Sequence, residues 1–134
     1  MLLAKAMMTY FAIVFGAGFI LGPIRTLWLE PQLGPFASVA IEAPVLLAAM
    51  VFAAWISTTR FAAISIRQRA AVGLGALALV IVADFSVGLA LRQQTAAAQW
   101  DYLSTPAGRI YVLLLGIFGL MPMLLQMATR GHRR

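Results

Sequence analysis

Residues 70–91 read AAVGLGALALVIVADFSVGLAL, and Asp84 is the only charge among them. Wound as an α-helix at about 1.5 Å per residue, the stretch is about 33 Å long, close to the hydrocarbon thickness of a bilayer. An apolar run of that length with a single acid reads as a transmembrane helix. Three similar runs flank it, from about Ala6 to Leu29, over 36–58, and from Pro106 to about Thr129. The chain has 134 residues, 63% hydrophobic and only 10% charged, which leaves room for four spans and short connections but not for a separate soluble domain. The expected fold is all-α, a polytopic four-transmembrane-helix bundle formed as one transmembrane domain over residues 1–134.

The connections carry matching punctuation. Glu30-Pro31-Gln32-Leu33-Gly34-Pro35 reads as a short loop, with Pro35 placed in the first turn of the second helix. Pro23 should kink or loosen the end of the first helix, because it removes a backbone donor and crowds the preceding turn. That first run follows one lysine and is too long for a signal-peptide core, so it is read as retained. The segment from Thr59 to Arg69 is mixed and reads as a loop. Arg92 to Gly108 is the longest connection. Its stretch from Gln93 to Trp100 can lie along the interface as a short amphipathic turn, and Thr105 and Pro106 suit the N-cap and N1 positions of the last helix.

Orientation follows from the basic residues. Lys5, Arg60, Arg67, Arg69, Arg130, Arg133 and Arg134 fall on one side, against Arg25, Arg92 and Arg109 on the other. The positive-inside rule then makes both termini and the middle loop cytoplasmic, with 130–134 as a short basic tail. Trp28, Trp100 and Tyr102 mark the outer interface, and Tyr10 and Trp55 the inner one. The expected location is a bacterial inner membrane, crossed several times.

Several function classes fall away. The net charge of +6 sits at the ends of apolar runs and forms no basic face for nucleic acid. Cysteine is absent and the one histidine, His132, lies in the tail, so disulfides, a membrane haem and a zinc hydrolase site lack their ligands. Met7, Met8, Met50, Met121, Met123 and Met127 gather in the cytoplasmic half, where adaptable packing explains them better than Cu(I) binding. No phosphate loop or Ser/His arrangement is present, and an intramembrane aspartic protease would need a second buried Asp. The chain is expected to be non-enzymatic, with no cofactor and no metal.

The polar residues within the spans stand out against this background. Glu42 and Asp84 both fall in the outer half, and a charge at mid-membrane costs about 2.5–3.5 kcal/mol on insertion scales, so each should face inward and find a partner or be protonated. Arg25 and Arg109 are the cations at that depth, each able to make bidentate contacts. Tyr111, Ser38, Ser86 and Gln93 lie at a similar level. The cluster Arg25, Glu42, Asp84 and Arg109 admits three readings: an internal network that fixes helix register, a ligand or partner site, or a proton- or ion-coupled transport site. Gly18 and Gly22 in the first helix, and Gly73 and Gly75 in the third, permit close helix packing inside the monomer or in a homodimer. Pro44 and Pro122 lie inside helices, as hinges or as tolerated kinks.

At Gly18-Phe-Ile-Leu-Gly22-Pro-Ile-Arg25, Pro31-Gln-Leu-Gly34 and Ile41-Glu42-Ala-Pro44, the chain resembles small four-helix bacterial inner-membrane proteins of undetermined function. The resemblance covers mainly the first half, with Thr105-Pro106-Ala107-Gly108 as a later echo. It implies a stand-alone bacterial membrane protein and no activity. Trimeric glutathione-using membrane proteins and small fluoride channels are of similar size, but the polar patterns of both are missing. The leading expectation is a protein that works by association in the lipid membrane, as an accessory subunit of a membrane complex or as a homo-oligomer. A small oligomeric channel or transporter using the outer cluster is the alternative.

Overall fold

The computed structural model describes residues 2–91 and 93–132, and no strand occurs among them. Arg92, Arg133 and Arg134, counted above for orientation, lie outside the described residues. Helix α1 covers Leu2–Ile24 and runs through a π-helical turn, Arg25–Leu29, into α2, Glu30–Arg60. Then follow α3, Ile66–Ala90, the short α4, Ala96–Tyr102, and α5, Pro106–Gly131.

The expected loop around Glu30 to Pro35 shrinks to one residue. Gly34 sits at φ 83° and ψ 166°, a region essentially closed to residues with a Cβ, and Ser38 Oγ donates to its carbonyl oxygen at 2.6 Å. The helical run folds back on itself here. Gly18 of α1 faces Leu46 of α2, Arg25 meets Glu42, and Leu2 and Lys5 border a groove with Arg60 and Phe61, so α1 and α2 are antiparallel. Helix α3 lies beside α1 through Gly75 and Met7, and antiparallel to α5 through Gly73 with Gly119 and Asp84 with Tyr111. The basal end of the bundle therefore holds the start of α1 and α3 and the end of α2 and α5. The apical end holds the π turn, Gly34, α4 and the start of α5.

Capping explains where the later helices begin. Thr105 Oγ1 accepts from the Gly108 amide at 3.1 Å with Pro106 at N1, as its sequence suggests. Helix α3 starts at Ile66 rather than Ala70, because Ser65 and Gln68 form a reciprocal capping box: Gln68 N donates to Ser65 Oγ and Ser65 N to Gln68 Oε1. Arg67 and Arg69 are thereby helical and not part of a loop.

The core joins α1, α2, α3 and α5 around Tyr10, Val14, Met50, Ala53, Ala54, Val72, Ala76, Leu114 and Phe118. Tyr10, expected at the membrane boundary, is fully buried, and its ring stacks on Phe118 with centroids 4.6 Å apart. The reason lies in α5. Pro122 has no amide to give the carbonyl four residues before it, and that carbonyl, on Phe118, accepts from the Tyr10 hydroxyl instead.

Large apolar side chains lie on the surface as well as in the core, and a few polar ones lie inside. Leu27, Trp28 and Trp100 are each over 70% exposed, and Ile20, Leu74, Val82 and Leu113 are largely exposed, while Arg69, Ser57, Ser38, Glu42 and Gln126 are buried. Among the described residues three helical stretches are long and apolar enough to cross a membrane: the continuous run Leu2–Arg60, Ile66–Ala90 and Pro106–Gly131.

Candidate functional site

The apical polar site starts with Pro23, which interrupts the α1 ladder, and the π turn that follows it. From this turn Arg25 Nη1 donates to Glu42 Oε2 at 2.6 Å. Glu42 is buried one helical turn after Ser38 on α2. A second acid, Glu30, places Oε1 3.4 Å from Arg25 Nε, without hydrogen-bond geometry. One guanidinium therefore serves two carboxylates, one buried and one partly exposed. Such a pair neutralises a charge that could not stay alone in an apolar surround.

Asp84 is held separately. Its Oδ2 accepts from the Tyr111 hydroxyl at 2.6 Å, tying α3 to α5. Arg109 lies exposed in the first turn of α5 and makes no ion pair among the described residues. Ser38 and Ser86 spend their hydroxyls on carbonyls of their own helix, Gly34 and Val82, and Gln93 is exposed at φ 52°. Of the four sequence-selected residues, the structure joins Arg25 to Glu42, gives Asp84 a tyrosine, and leaves Arg109 at the surface.

A second polar site, at the basal end, is absent from the sequence reading. Arg69 is 1% exposed and is the largest fully buried side chain. Its guanidinium donates to the carbonyl of Phe61, the C-cap of α2, at 2.8 Å and to those of Ser57 and Thr58 in its last turn at 3.3 Å. The Ser57 carbonyl also accepts from the Phe61 amide and the Phe61 carbonyl from the Ile64 amide, but carbonyls at a helix C-terminus concentrate the negative end of the dipole, so a guanidinium is well matched to them. The signal was present in the sequence: Ser65-x-x-Gln68 starts the helix, and Arg69, Val72, Gly73 and Ala76 then follow the i, i+3, i+4, i+7 spacing of one buried face.

The glycines divide by use. A Cβ at Gly73 would collide with the Gly119 carbonyl oxygen, so α3 and α5 touch backbone to backbone there. A Cβ at Gly75 would meet only the flexible side chain of Met7. Gly18 has Leu46 at 4.0 Å, and nothing stands within 4 Å of a Cβ at Gly16 or Gly22.

Among the described residues no group of acids or His has the arrangement of a metal site. No family model, no curated protein and no solved structure matches this chain.

Proposed function

We propose that the protein is a four-crossing integral membrane protein, with both termini cytoplasmic, that acts by associating with a membrane partner or a second copy of itself. The observation that carries the membrane part is the apolar exterior, with tryptophan and aliphatic side chains exposed along helical stretches long and apolar enough to cross a membrane. In water such an exterior would be an aggregation surface, and in lipid it is solvated. Folding back at Gly34 turns the single run Leu2–Arg60 into two arms, each long enough to cross. Trp28 and Trp100, both exposed at the apical end, suit an interfacial belt.

Association draws support from α1, where Gly16 and Gly22 leave open space at the surface, in contrast to Gly73, which is consumed inside the bundle. Arg25 and Glu42 already satisfy one another, which favours a structural role for the apical cluster over transport. A bacterial inner membrane is the setting that the basic-residue asymmetry favours, with no enzymatic activity and no cofactor.

The chain has no cysteine, so single cysteines report its topology directly. Gln32→Cys and Ala97→Cys should label with an impermeant maleimide on intact cells, and Ala63→Cys and Gly131→Cys only after permeabilisation. Extraction in mild detergent followed by cross-linking from Gly22→Cys should then yield a discrete dimer or a defined hetero-complex. A monomer without cross-links, or proton flux into liposomes that is lost in Glu42→Gln, would replace association with another activity.

A further inference from the structure

The basal end carries a groove that the apical cluster does not explain. Leu2, Lys5, Met8 and Thr9 from the start of α1 and Arg60 and Phe61 from the end of α2 line an open groove of about 570 Å³. We propose that this groove binds the headgroup of an anionic phospholipid, with Lys5 and Arg60 on the phosphate and Leu2, Met8 and Phe61 against the first acyl carbons; the assignment rests on the membrane reading above.

Three observations converge on an anion with an apolar tail. First, Lys5 and Arg60 are exposed and make no ion pair among the described residues. All four acids of the chain, Glu30, Glu42, Asp84 and Asp101, lie at the apical end, so no carboxylate side chain competes for these cations. Second, the C-terminus of α2 would ordinarily repel an anion, since its carbonyls carry the negative end of the dipole. Here Arg69 occupies the carbonyls of Ser57, Thr58 and Phe61, so the helix end beside the groove is already neutralised. Third, most of the remaining wall is apolar: Leu2 and Met8 are about half exposed, Phe61 is buried, and Thr9 spends its hydroxyl proton on the Lys5 carbonyl. A free inorganic anion gains nothing from those walls, whereas a lipid buries its glycerol and upper chains there.

In the proposed orientation the groove opens at the cytoplasmic leaflet, where anionic lipids concentrate and each Lys or Arg favours binding about fivefold. Two cations set an expectation of about 25-fold preference for phosphatidylglycerol over phosphatidylcholine. The test uses the full chain in a neutral maltoside detergent, titrated with mixed micelles of either lipid, with bound lipid counted by native mass spectrometry. One phosphatidylglycerol should be retained in preference to phosphatidylcholine. The preference should vanish in the Lys5→Gln/Arg60→Gln double variant, persist in Lys5→Arg/Arg60→Lys, and survive Arg67→Gln, which removes a basal charge outside the groove. Equal retention of the two lipids, equal losses in the Arg67 and double variants, or displacement by millimolar inorganic phosphate would overturn the assignment. Failure of the membrane reading would show earlier and separately, as protein recovered from the soluble fraction without detergent.

Discussion

The two ends of the bundle each take an arginine out of solvent, and they neutralise it by different means. At the apical end Arg25 is matched by side chains, with Glu42 at 2.6 Å and Glu30 at 3.4 Å. At the basal end Arg69 is matched by backbone alone, the carbonyls of the last turn and C-cap of α2. Carboxylates can be protonated or replaced one at a time, and the two around Arg25 back each other up. The carbonyls cannot be removed by mutation or pH, so the whole arrangement depends on the single guanidinium. One end is redundant and adjustable, and the other is fixed.

The largest effect should therefore come from Arg69→Met. It removes three charge-assisted hydrogen bonds from the end of α2 at once and should lower unfolding free energy in detergent, read by SDS titration, by about 3–5 kcal/mol. Arg69→Lys should recover only part of this, because an ammonium cannot fork across carbonyls on successive turns. A loss below about 1 kcal/mol would make the basal arginine incidental.

Gly73→Ala drives a methyl group into the Gly119 backbone, and should cost up to about 3 kcal/mol, since neither helix can yield locally. Gly22→Ala, facing open space at the apical end, should leave thermal unfolding of the monomer unchanged. Equal effects at the two positions would contradict the packing described here.

Glu42→Gln should be milder than Arg69→Met, about 2 kcal/mol, because Glu30 stays within reach of Arg25. Adding Glu30→Gln should then cost more than Glu30→Gln does in the parent protein. A purely additive double variant would show that the second carboxylate offers no backup.

The smallest effect is the most diagnostic. Tyr10→Phe leaves the Phe118 carbonyl bare and should cost about 1–2 kcal/mol. Placing Pro122→Ala in the same chain returns an amide to that carbonyl and should restore much of the loss, although Pro122→Ala alone gives no comparable gain. Absence of this rescue in a double-mutant cycle would remove the proposed link between Tyr10 and the proline.

What could be read in advance follows the same physical lines. Apolar runs and local caps act within a few residues, so α3, α5 and the Thr105-Pro106 start were legible, and the need of a buried acid for a partner pointed from Glu42 to Arg25. Depth along a helix was legible too, which brought Asp84 level with Tyr111. Azimuth was not: Arg109 shares that depth and points outward. Arg69 belongs to the expected loop only if α3 starts at Ala70; the Ser65–Gln68 capping box starts it one turn earlier and carries the charge from rim to interior. The π turn leaves no local signature, since it depends on which amide each carbonyl receives.

The Tyr10 hydroxyl and the Phe118 carbonyl are separated by 108 residues, nearly the full chain. During synthesis α1 emerges long before α5 exists, and under the proposed membrane reading it must wait in the bilayer with an unmatched phenol. The proline-broken last helix arrives with an unmatched carbonyl. Neither deficit can be cured by a neighbour close in sequence, so closing this bond marks completion of assembly, and a chain truncated before α5 should be an exposed target for membrane proteolysis.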